Sequence, residues 1–196
     1  RDVLGSRGLG DVYKRQRMSC VTEDSAGNLY VGTMNNGLYM IDGNKKWLNY
    51  LPKKDITCIY EDSKKSIWVG TKDDGLFRLD RNGGITNYGT APHQNMLSSS
   101  YVRCIVEDNL GNYWIGTFKG LDKLDVTTGT FTHYSKDNKP YSLSNSSIIC
   151  MMKDRQGTFW IGTYYGGVNL FNPDYEIYTY YYPDESQKGK LTSPFA

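Results

Sequence analysis

A ten-residue pattern that occurs four times constrains this chain more than any other feature of its sequence. Each copy begins with Asp, ends with Gly-Thr and carries an aromatic residue two positions before the Gly. The copies span residues 24–33, 62–71, 108–117 and 154–163. The Gly residues of successive copies are 38, 46 and 46 residues apart. This period is typical of propeller blades and of some other repeat arrays.

Two further positions keep a constant distance from that Gly, which argues against chance recurrence. Every copy has a Cys twelve residues before the Gly and a Tyr eighteen residues after it. The cysteines are Cys20, Cys58, Cys104 and Cys150. The tyrosines are Tyr50, Tyr88, Tyr134 and Tyr180. Insertions between copies fall only after the Tyr, so the boundary between units lies there.

Each unit contains four short runs rich in β-branched and aromatic residues, which we label strands a to d. In the third unit these are Val102–Glu107, Tyr113–Gly116, Leu121–Leu124 and Phe131–Tyr134. Turn-forming residues separate the runs, and no stretch has a helical apolar period long enough to compete. Four-stranded antiparallel units of this period, arranged radially, predict an all-β fold of the β-propeller type.

The repeat divides the chain into four predicted blades. They are blade 1 at 18–55, blade 2 at 56–101, blade 3 at 102–147 and blade 4 at 148–190. Residues 191–196 parallel the segments that precede strand a in units three and four, so we expect a truncated next blade there. We therefore expect an open arc of a larger propeller of about seven blades. Its terminal sheets would expose apolar faces, which predicts poor solubility or self-association.

The first seventeen residues fit no repeat. The string RDVLGSRGLGDVYKRQ resembles translated sequencing-adaptor debris, and we interpret residues 1–17 as an artefactual leader rather than a native linker. Five basic and two acidic residues fall in this leader, so the net charge of +2 does not extend to the repeats. We therefore expect no nucleic-acid partner. No apolar run is long enough to span a bilayer, so we expect no membrane contact by this segment.

The connection between strands a and b carries turn chemistry. In three copies an Asp is followed three residues later by Gly, which predicts an Asx turn and a left-handed glycine closing the hairpin. The second copy has Lys65 in place of that Gly, which costs roughly 1 kcal/mol if the conformation is kept. A calcium loop is the alternative, but the string lacks alternating oxygen ligands, and we expect no metal.

Small and aromatic residues of the repeat predict how the units pack. The Gly of each Gly-Thr pair indicates close approach by a neighbouring unit or a bulky side chain. Trp68, Trp114 and Trp160, with Tyr30 in the first unit, lie on the same strand face and are expected to pack between units. Equivalent cysteines would lie about 10 Å apart, whereas a disulfide needs Cα atoms within roughly 7 Å. We therefore expect four free, buried thiols.

The copies ITCIYEDSKKSIWVGTKDDGLFRLD and VRCIVEDNLGNYWIGTFKGLDKLD resemble the two-component regulator propeller repeat, and the resemblance covers nearly all of residues 18–182. It implies a periplasmic sensor region of a hybrid two-component histidine kinase of the Bacteroidetes type that detects glycan-derived oligosaccharides. The implied partners are an oligosaccharide and the remaining blades of the same polypeptide, and a homodimer of the full-length receptor is compatible with it. The departures from the pattern are Tyr30 for Trp, Lys65 for Gly, Lys153 for Glu, Asn172 for Asp, and a shorter loop before Gly120.

Recognition is expected where the copies differ, in the b–c loops and the d–a connections, which share one face of a propeller. Aromatic faces beside amides and carboxylates suit sugars. The candidate ligand-binding residues are Asn35, Asn36, Asp73, Asp74, Phe118, Lys119, Tyr164 and Tyr165. The alternative is that these aromatics pack on adjacent blades and the charges are merely solvated.

Catalysis has little support, so we assign no catalytic residue and no cofactor. His133 falls at a surface position of strand d, and His93 in a d–a connection has no identifiable partner. Asp73 and Asp74 are adjacent, whereas glycoside hydrolysis needs two carboxyl groups about 5–9 Å apart. The favoured interpretation is a ligand-sensing segment. A propeller lyase or glycosidase acting on polysaccharide, and a protein-interaction scaffold, are the alternatives.

Overall fold

The computed structural model describes residues 17–89, 96–137, 142–173 and 177–181. Within these residues the chain forms sixteen strands, and none of its elements is a helix long and apolar enough to cross a membrane. The leader up to residue 16, His93 and residues 191–196 lie outside the described residues, so the expectations about them stay predictions.

The strands build four antiparallel sheets of four, each in sequence order. The first sheet contains β1 (Met18–Glu23), β2 (Leu29–Thr33), β3 (Leu38–Ile41) and β4 (Trp47–Tyr50). The second contains β5 (Ile56–Glu61), β6 (Ile67–Thr71), β7 (Leu76–Leu79) and β8 (Ile85–Asn87). The third contains β9 (Val102–Glu107), β10 (Tyr113–Thr117), β11 (Leu121–Asp125) and β12 (Thr130–Tyr134). The fourth contains β13 (Ile148–Lys153), β14 (Phe159–Thr163), β15 (Gly167–Asn172) and β16 (Ile177–Tyr181).

Successive sheets pack through their first strands. Strand β5 contacts β1 and β2, β9 contacts β5 and β6, and β13 contacts β9 and β10. Each of the three hydrophobic clusters joins residues of two neighbouring sheets, so the core lies between blades rather than within one. The packing runs in series from the first sheet to the fourth, and the predicted fold class, an open array of propeller blades, is confirmed.

In the first three blades, the Gly of the Gly-Thr pair lies in close contact with a side chain of the next blade. A Cβ added to Gly70 would lie 2.7 Å from Cγ1 of Val102 in the following sheet. A Cβ on Gly116 would lie 2.6 Å from Cγ2 of Ile148. Both would also overlap the Cys sulfur of their own blade. The predicted close approach is therefore confirmed, and it comes from a neighbouring blade and a side chain together.

The a–b hairpins close as their sequence predicts. In the first, Oδ1 of Asp24 accepts the backbone N–H groups of Ala26 and Asn28 at 2.9 and 2.8 Å. Gly27, Gly111 and Gly157 have φ angles of 84°, 83° and 87°. Lys65 keeps the same left-handed conformation with φ of 66°, so the second hairpin carries the expected strain of roughly 1 kcal/mol.

The hairpin Asp has a second role that its turn chemistry does not predict. Its other carboxylate oxygen accepts the indole N–H of the blade's own Trp, at 2.8 Å for Asp62 and Trp68. The phenol of Tyr113, from the following blade, donates to the same oxygen of Asp62 at 2.7 Å. The rings of Trp68 and Tyr113 lie 4.3 Å apart and are almost fully buried. One carboxylate thus joins a turn, an indole and the next blade.

A latch of polar contacts also joins neighbouring hairpins. Glu107 accepts the backbone N–H of Ser63 at 2.7 Å and its hydroxyl at 2.6 Å. At the last interface, Lys153 stands where the other blades have Glu, and its ammonium donates to Oδ1 of Asn109 at 3.2 Å. The contact between neighbouring hairpins is therefore kept at Lys153, but here the residue at the Glu position donates the hydrogen bond instead of accepting it.

Among the described residues, the first and last blades each have one face against which no neighbouring blade packs. Trp160 is 39% exposed although Trp68 and Trp114 are fully buried. Val21 of β1 is 69% exposed, and Cys150 is exposed. All four cysteines are free, as predicted, but the expected burial is wrong for Cys150, against which no further blade packs among the described residues. Burial raises the pKa of Cys58 to about 12.

The fourth unit corrects one part of the predicted register. Leu121 pairs with Tyr134 in the third sheet, but Val168 pairs with Tyr181 in the fourth. The assignment of Tyr180 as the equivalent tyrosine is therefore wrong. The fourth unit combines the longer b–c loop of the first two units with the longer c–d turn of the third, which displaces the tyrosine by one residue.

Candidate ligand-binding groove

Backbone hydrogen bonds hold the b–c loops against the d–a connections. The residue that follows each Gly-Thr pair donates its N–H to the carbonyl of the residue that precedes strand a of the same blade. The donor and acceptor pairs are Met34 and Arg17, Lys72 and Asp55, Phe118 and Tyr101, and Tyr164 and Ser147, at 2.9 to 3.1 Å. Each blade therefore carries one such residue pair at the same end of its strands a and b, and the residue types differ from blade to blade.

A groove of ≈ 510 Å³ opens among these pairs. Its walls include the residue immediately before the Cys of every blade, because that position of strand a faces away from the packed core. The lining residues are Ser19, Met34, Asp55, Ile56, Thr57, Lys72, Tyr101, Arg103 and Ile149. The groove therefore runs past all four blades.

Arg103 is fixed in this groove by contacts on three sides. Its guanidinium donates to Oγ of Ser147 at 3.0 Å and to the carbonyl of Ile148 at 2.9 Å. Its guanidinium carbon lies 4.7 Å from the ring centroid of Tyr101 and 5.2 Å from that of Phe118. The two rings are nearly parallel, 6.4 Å apart with an interplanar angle of 14°. These contacts hold a cation and two aromatic surfaces in place without a ligand.

The candidates of the first two blades are tied into the loops. The backbone N–H of Asn35, which has φ of 66°, donates to the carboxylate of Asp55. The carbonyl of Asn36 accepts the side-chain amide of Asn49 at 3.3 Å. Asp74 forms an ion pair with Lys54, while Asp73 is exposed.

The candidates of the last two blades are more accessible. Phe118 is 51% exposed and Lys119 beside it is also exposed. Tyr164 and Tyr165 are 47% and 55% exposed, and their rings meet edge to face at 4.3 Å. None of the eight candidates lines the groove, although Phe118 adjoins it through Arg103. Their role in binding stays a prediction.

Sequence reasoning missed the residues that line the groove. Arg103 and Thr57 lie one residue before a Cys, and Tyr101 and Asp55 lie three residues before it. The signal was the constant distance from the Cys, combined with residue types that vary from copy to copy. It was hidden for Thr57 and Arg103 because both lie in a regular strand, whereas Asp55 and Tyr101 end the d–a connections that precede those strands.

A buried polar cluster lies near the same face. Asp122 is fully buried and accepts the backbone N–H of Ser98 at 2.8 Å, and its hydroxyl at 3.0 Å. Its other oxygen lies 2.8 Å from Nδ1 of His133. Burial raises the pKa of Asp122, and the His133 hydrogen bond opposes that shift.

The fourth blade shows what this cluster does. Asn169 occupies the position of Asp122 and accepts the backbone N–H of Ser144 at 2.9 Å. Asp122 and Asn169 thus have the same role: each binds the Ser of a Leu-Ser pair, Leu97-Ser98 or Leu143-Ser144, in the connection that leads to the first strand of its blade. In the third blade Ser98 bonds to the carboxylate rather than to the imidazole, so these three residues are not arranged as a nucleophile with its base. Among the described residues, no cluster of His, Cys, Asp or Glu has the geometry to hold a metal ion.

Four antiparallel blades with their cores between them define the chain as a β-propeller repeat protein. Residues 50–73, 96–119 and 142–165 match the two component regulator propeller family. The chain therefore carries the two-component regulator propeller repeat, as its sequence resemblance predicted. No curated protein sequence matches it.

Solved structures share the fold. The chain is 23% identical to the extracellular domain of a B. thetaiotaomicron protein described as the one component system BT4673, with a TM-score of 0.71 over 88% of this chain and 26% of that one. It is 17% identical to a catalytically inactive virginiamycin B lyase from Staphylococcus aureus, with a TM-score of 0.70 over 87% of this chain and 57% of that one. It is 14% identical to PorZ of Porphyromonas gingivalis, with a TM-score of 0.67 over 91% of this chain and 28% of that one. The chain thus spans less than two thirds of each of these structures.

Proposed function

We propose that this chain is part of the extracytoplasmic ligand-sensing propeller of a hybrid two-component sensor, and that it recognises oligosaccharides at the groove face. The family match and the likeness to extracellular domains of two-component systems support the sensor class. The same likeness supports a periplasmic location and signalling to a histidine kinase. On this proposal the segment itself is not an enzyme.

The Arg103 cluster is the observation that carries the oligosaccharide proposal. Sugars stack their C–H faces on aromatic rings and need partners for their hydroxyl groups. Tyr101 and Phe118 supply the rings, and Lys72, Asp55 and Thr57 supply charges and a hydroxyl along the same groove. Because Arg103 is already braced, binding does not require it to be ordered first.

Calorimetric titration of the chain with a panel of neutral and acidic oligosaccharides tests the proposal. We expect at least one to bind with a saturable heat, and we expect Phe118→Ala and Lys72→Ala each to weaken it by about tenfold. Leu110→Ala is the matched control, because Leu110 is 79% exposed on the hairpin at the other end of the strands. Absence of binding across the panel, or an affinity of both Phe118→Ala and Lys72→Ala equal to that of the parent chain, would refute the proposal.

A lyase is the second candidate, favoured only by the likeness to virginiamycin B lyase. His133 is the imidazole within the described residues, and its Nδ1 is held by Asp122. Incubation of each bound oligosaccharide with the chain, followed by chromatography, distinguishes the two functions. A sensor returns the ligand intact, whereas turnover that His133→Ala abolishes would establish the enzyme.

A further inference from the structure

A second cavity lies between blades 1 and 2, at the opposite end of the strands from the groove. Its volume is ≈ 510 Å³, within the range of small-molecule sites. Apolar and aromatic side chains of both blades form its floor: Tyr30, Met40, Tyr50, Ile67 and Leu79. The a–b hairpin of blade 1 and the c–d turn of blade 2 form its rim.

The equivalent space between blades 2 and 3 is filled by three side chains. Trp68 and Tyr113 stack at 4.3 Å and both donate to Asp62. The guanidinium carbon of Arg78 lies 5.7 Å from the Trp68 ring centroid. An indole, a phenol and a cation thus occupy this interface.

The space between blades 3 and 4 is filled in the same way. Trp114 and Phe159 meet edge to face at 5.8 Å, and both are fully buried. The ammonium of Lys123 lies 5.2 Å from the Trp114 ring centroid. The pattern of two rings and a covering cation is therefore repeated.

All three filling groups are replaced at the first interface. In register, Tyr30 stands in the place of Trp, Ile67 in the place of Tyr113, and Met40 in the place of Arg78. Tyr30 still supplies a buried ring at the Trp position, so the cavity is the space left by the smaller Tyr30 and by Ile67, which carries no ring.

The rim adds a fourth departure from the repeat at the same place. Lys65, in the strained left-handed position that the other hairpins give to Gly, lines the cavity, and its ammonium lies 3.8 Å from Glu61. Asp24 and Asp80 bring two more carboxylates to the rim. A strained residue of this kind persists where the surrounding structure over-determines its conformation.

We propose that this cavity binds a small aromatic molecule that carries a ring O–H or N–H group, of the phenol or indole class. The floor offers a bound aromatic ring apolar contacts like those that Trp68 and Tyr113 make in the interface between blades 2 and 3. The rim carboxylates supply acceptors for the ring donor, as Asp62 does for both of those side chains. The proposal is independent of the groove, since the two sites share no lining residue.

Ligand-observed saturation-transfer NMR with indole and p-cresol tests this site, with cyclohexanol as a non-aromatic control of similar size. We expect indole and p-cresol to bind and to raise Tm in a concentration-dependent manner. Ile67→Tyr and Tyr30→Trp restore the side chains of the other interfaces, so each should abolish the NMR signal while raising the Tm of the free chain.

Leu110→Tyr is the matched control, because it adds a phenol on the same hairpin face of blade 3 and should leave binding unchanged. Variants that fill the cavity are expected to be at least as stable as the parent chain, so loss of binding cannot be attributed to unfolding. The proposal is overturned if neither aromatic probe saturates, if cyclohexanol binds equally well, or if Ile67→Tyr binds like the parent chain.

Discussion

Gly116→Ala tests the claim that blades meet at the Gly of the Gly-Thr pair. The backbone at Gly116 lies outside the left-handed region, so only space opposes a methyl group. That methyl would lie 2.6 Å from Cγ2 of Ile148 and would overlap the sulfur of Cys104. Overpacking of this kind costs typically 1–3 kcal/mol, offset by about 0.4–1 kcal/mol from the lower entropy of the unfolded chain. We expect a net loss of about 1–2 kcal/mol in unfolding free energy.

Gly162→Ala is the matched control, because its methyl would meet the sulfur of Cys150 at 2.8 Å and no side chain of a further blade. Cys150 is exposed and can turn away, so we expect a change within about 0.5 kcal/mol of zero. Urea unfolding followed by Trp fluorescence measures both variants. Equal destabilisation at the two glycines would refute the reasoning, because the clash would then come from within the blade. Adding Cys104→Ala to Gly116→Ala should recover only part of the loss, since Ile148 remains.

Three further outcomes follow from local contacts. Lys65→Asn should raise the free energy of unfolding by about 0.5–1 kcal/mol in urea titrations, because Asn tolerates left-handed backbone better. Asp122 has a folded-state pKa raised above its ordinary 3.8, so its contribution to stability is complete below that pH and is lost as pH rises through the raised value. Asp122→Asn, which mimics Asn169, should remove that pH dependence in urea titrations carried out at a series of pH values from 3.8 upward, and an unchanged dependence would contradict the assignment. Cys150 should react with a maleimide at least about tenfold faster than Cys104 in the folded chain, as mass spectrometry after proteolysis would show.

The scaffold was predictable because the repeat supplies four observations of the same local problem. One Asp three residues before a Gly is weak evidence for a turn, but three copies at one offset made the Asx hairpin and the place of Lys65 readable from the sequence. The same redundancy predicted the inter-blade position of Trp68 and Trp114. A single blade would have shown an aromatic strand with no indication of what covers it.

The groove was not predictable in the same way. Its key contact joins Arg103 to Phe118 and to the carbonyl of Ile148, which come from three separate segments and two blades. No local pattern encodes such a contact, because it depends on how far one sheet is rotated relative to the next. The register slip that replaces Tyr180 by Tyr181 has a related cause, since two loop lengths changed together.

Departures from the repeat carry information that the repeat itself cannot. Ile67 and Met40 are ordinary strand residues when each is considered alone, and Tyr30 is a conservative change from Trp. Only the register of β2, β3 and β6 shows that the three meet in one space, which the other two interfaces fill with rings and a cation. Random drift would scatter such changes among three interfaces, and a loss of packing would be costly at any of them. Their convergence on one interface, beside the strained Lys65, is therefore better explained by a ligand that fills the space left by the smaller Tyr30, Ile67 and Met40 side chains than by relaxed packing.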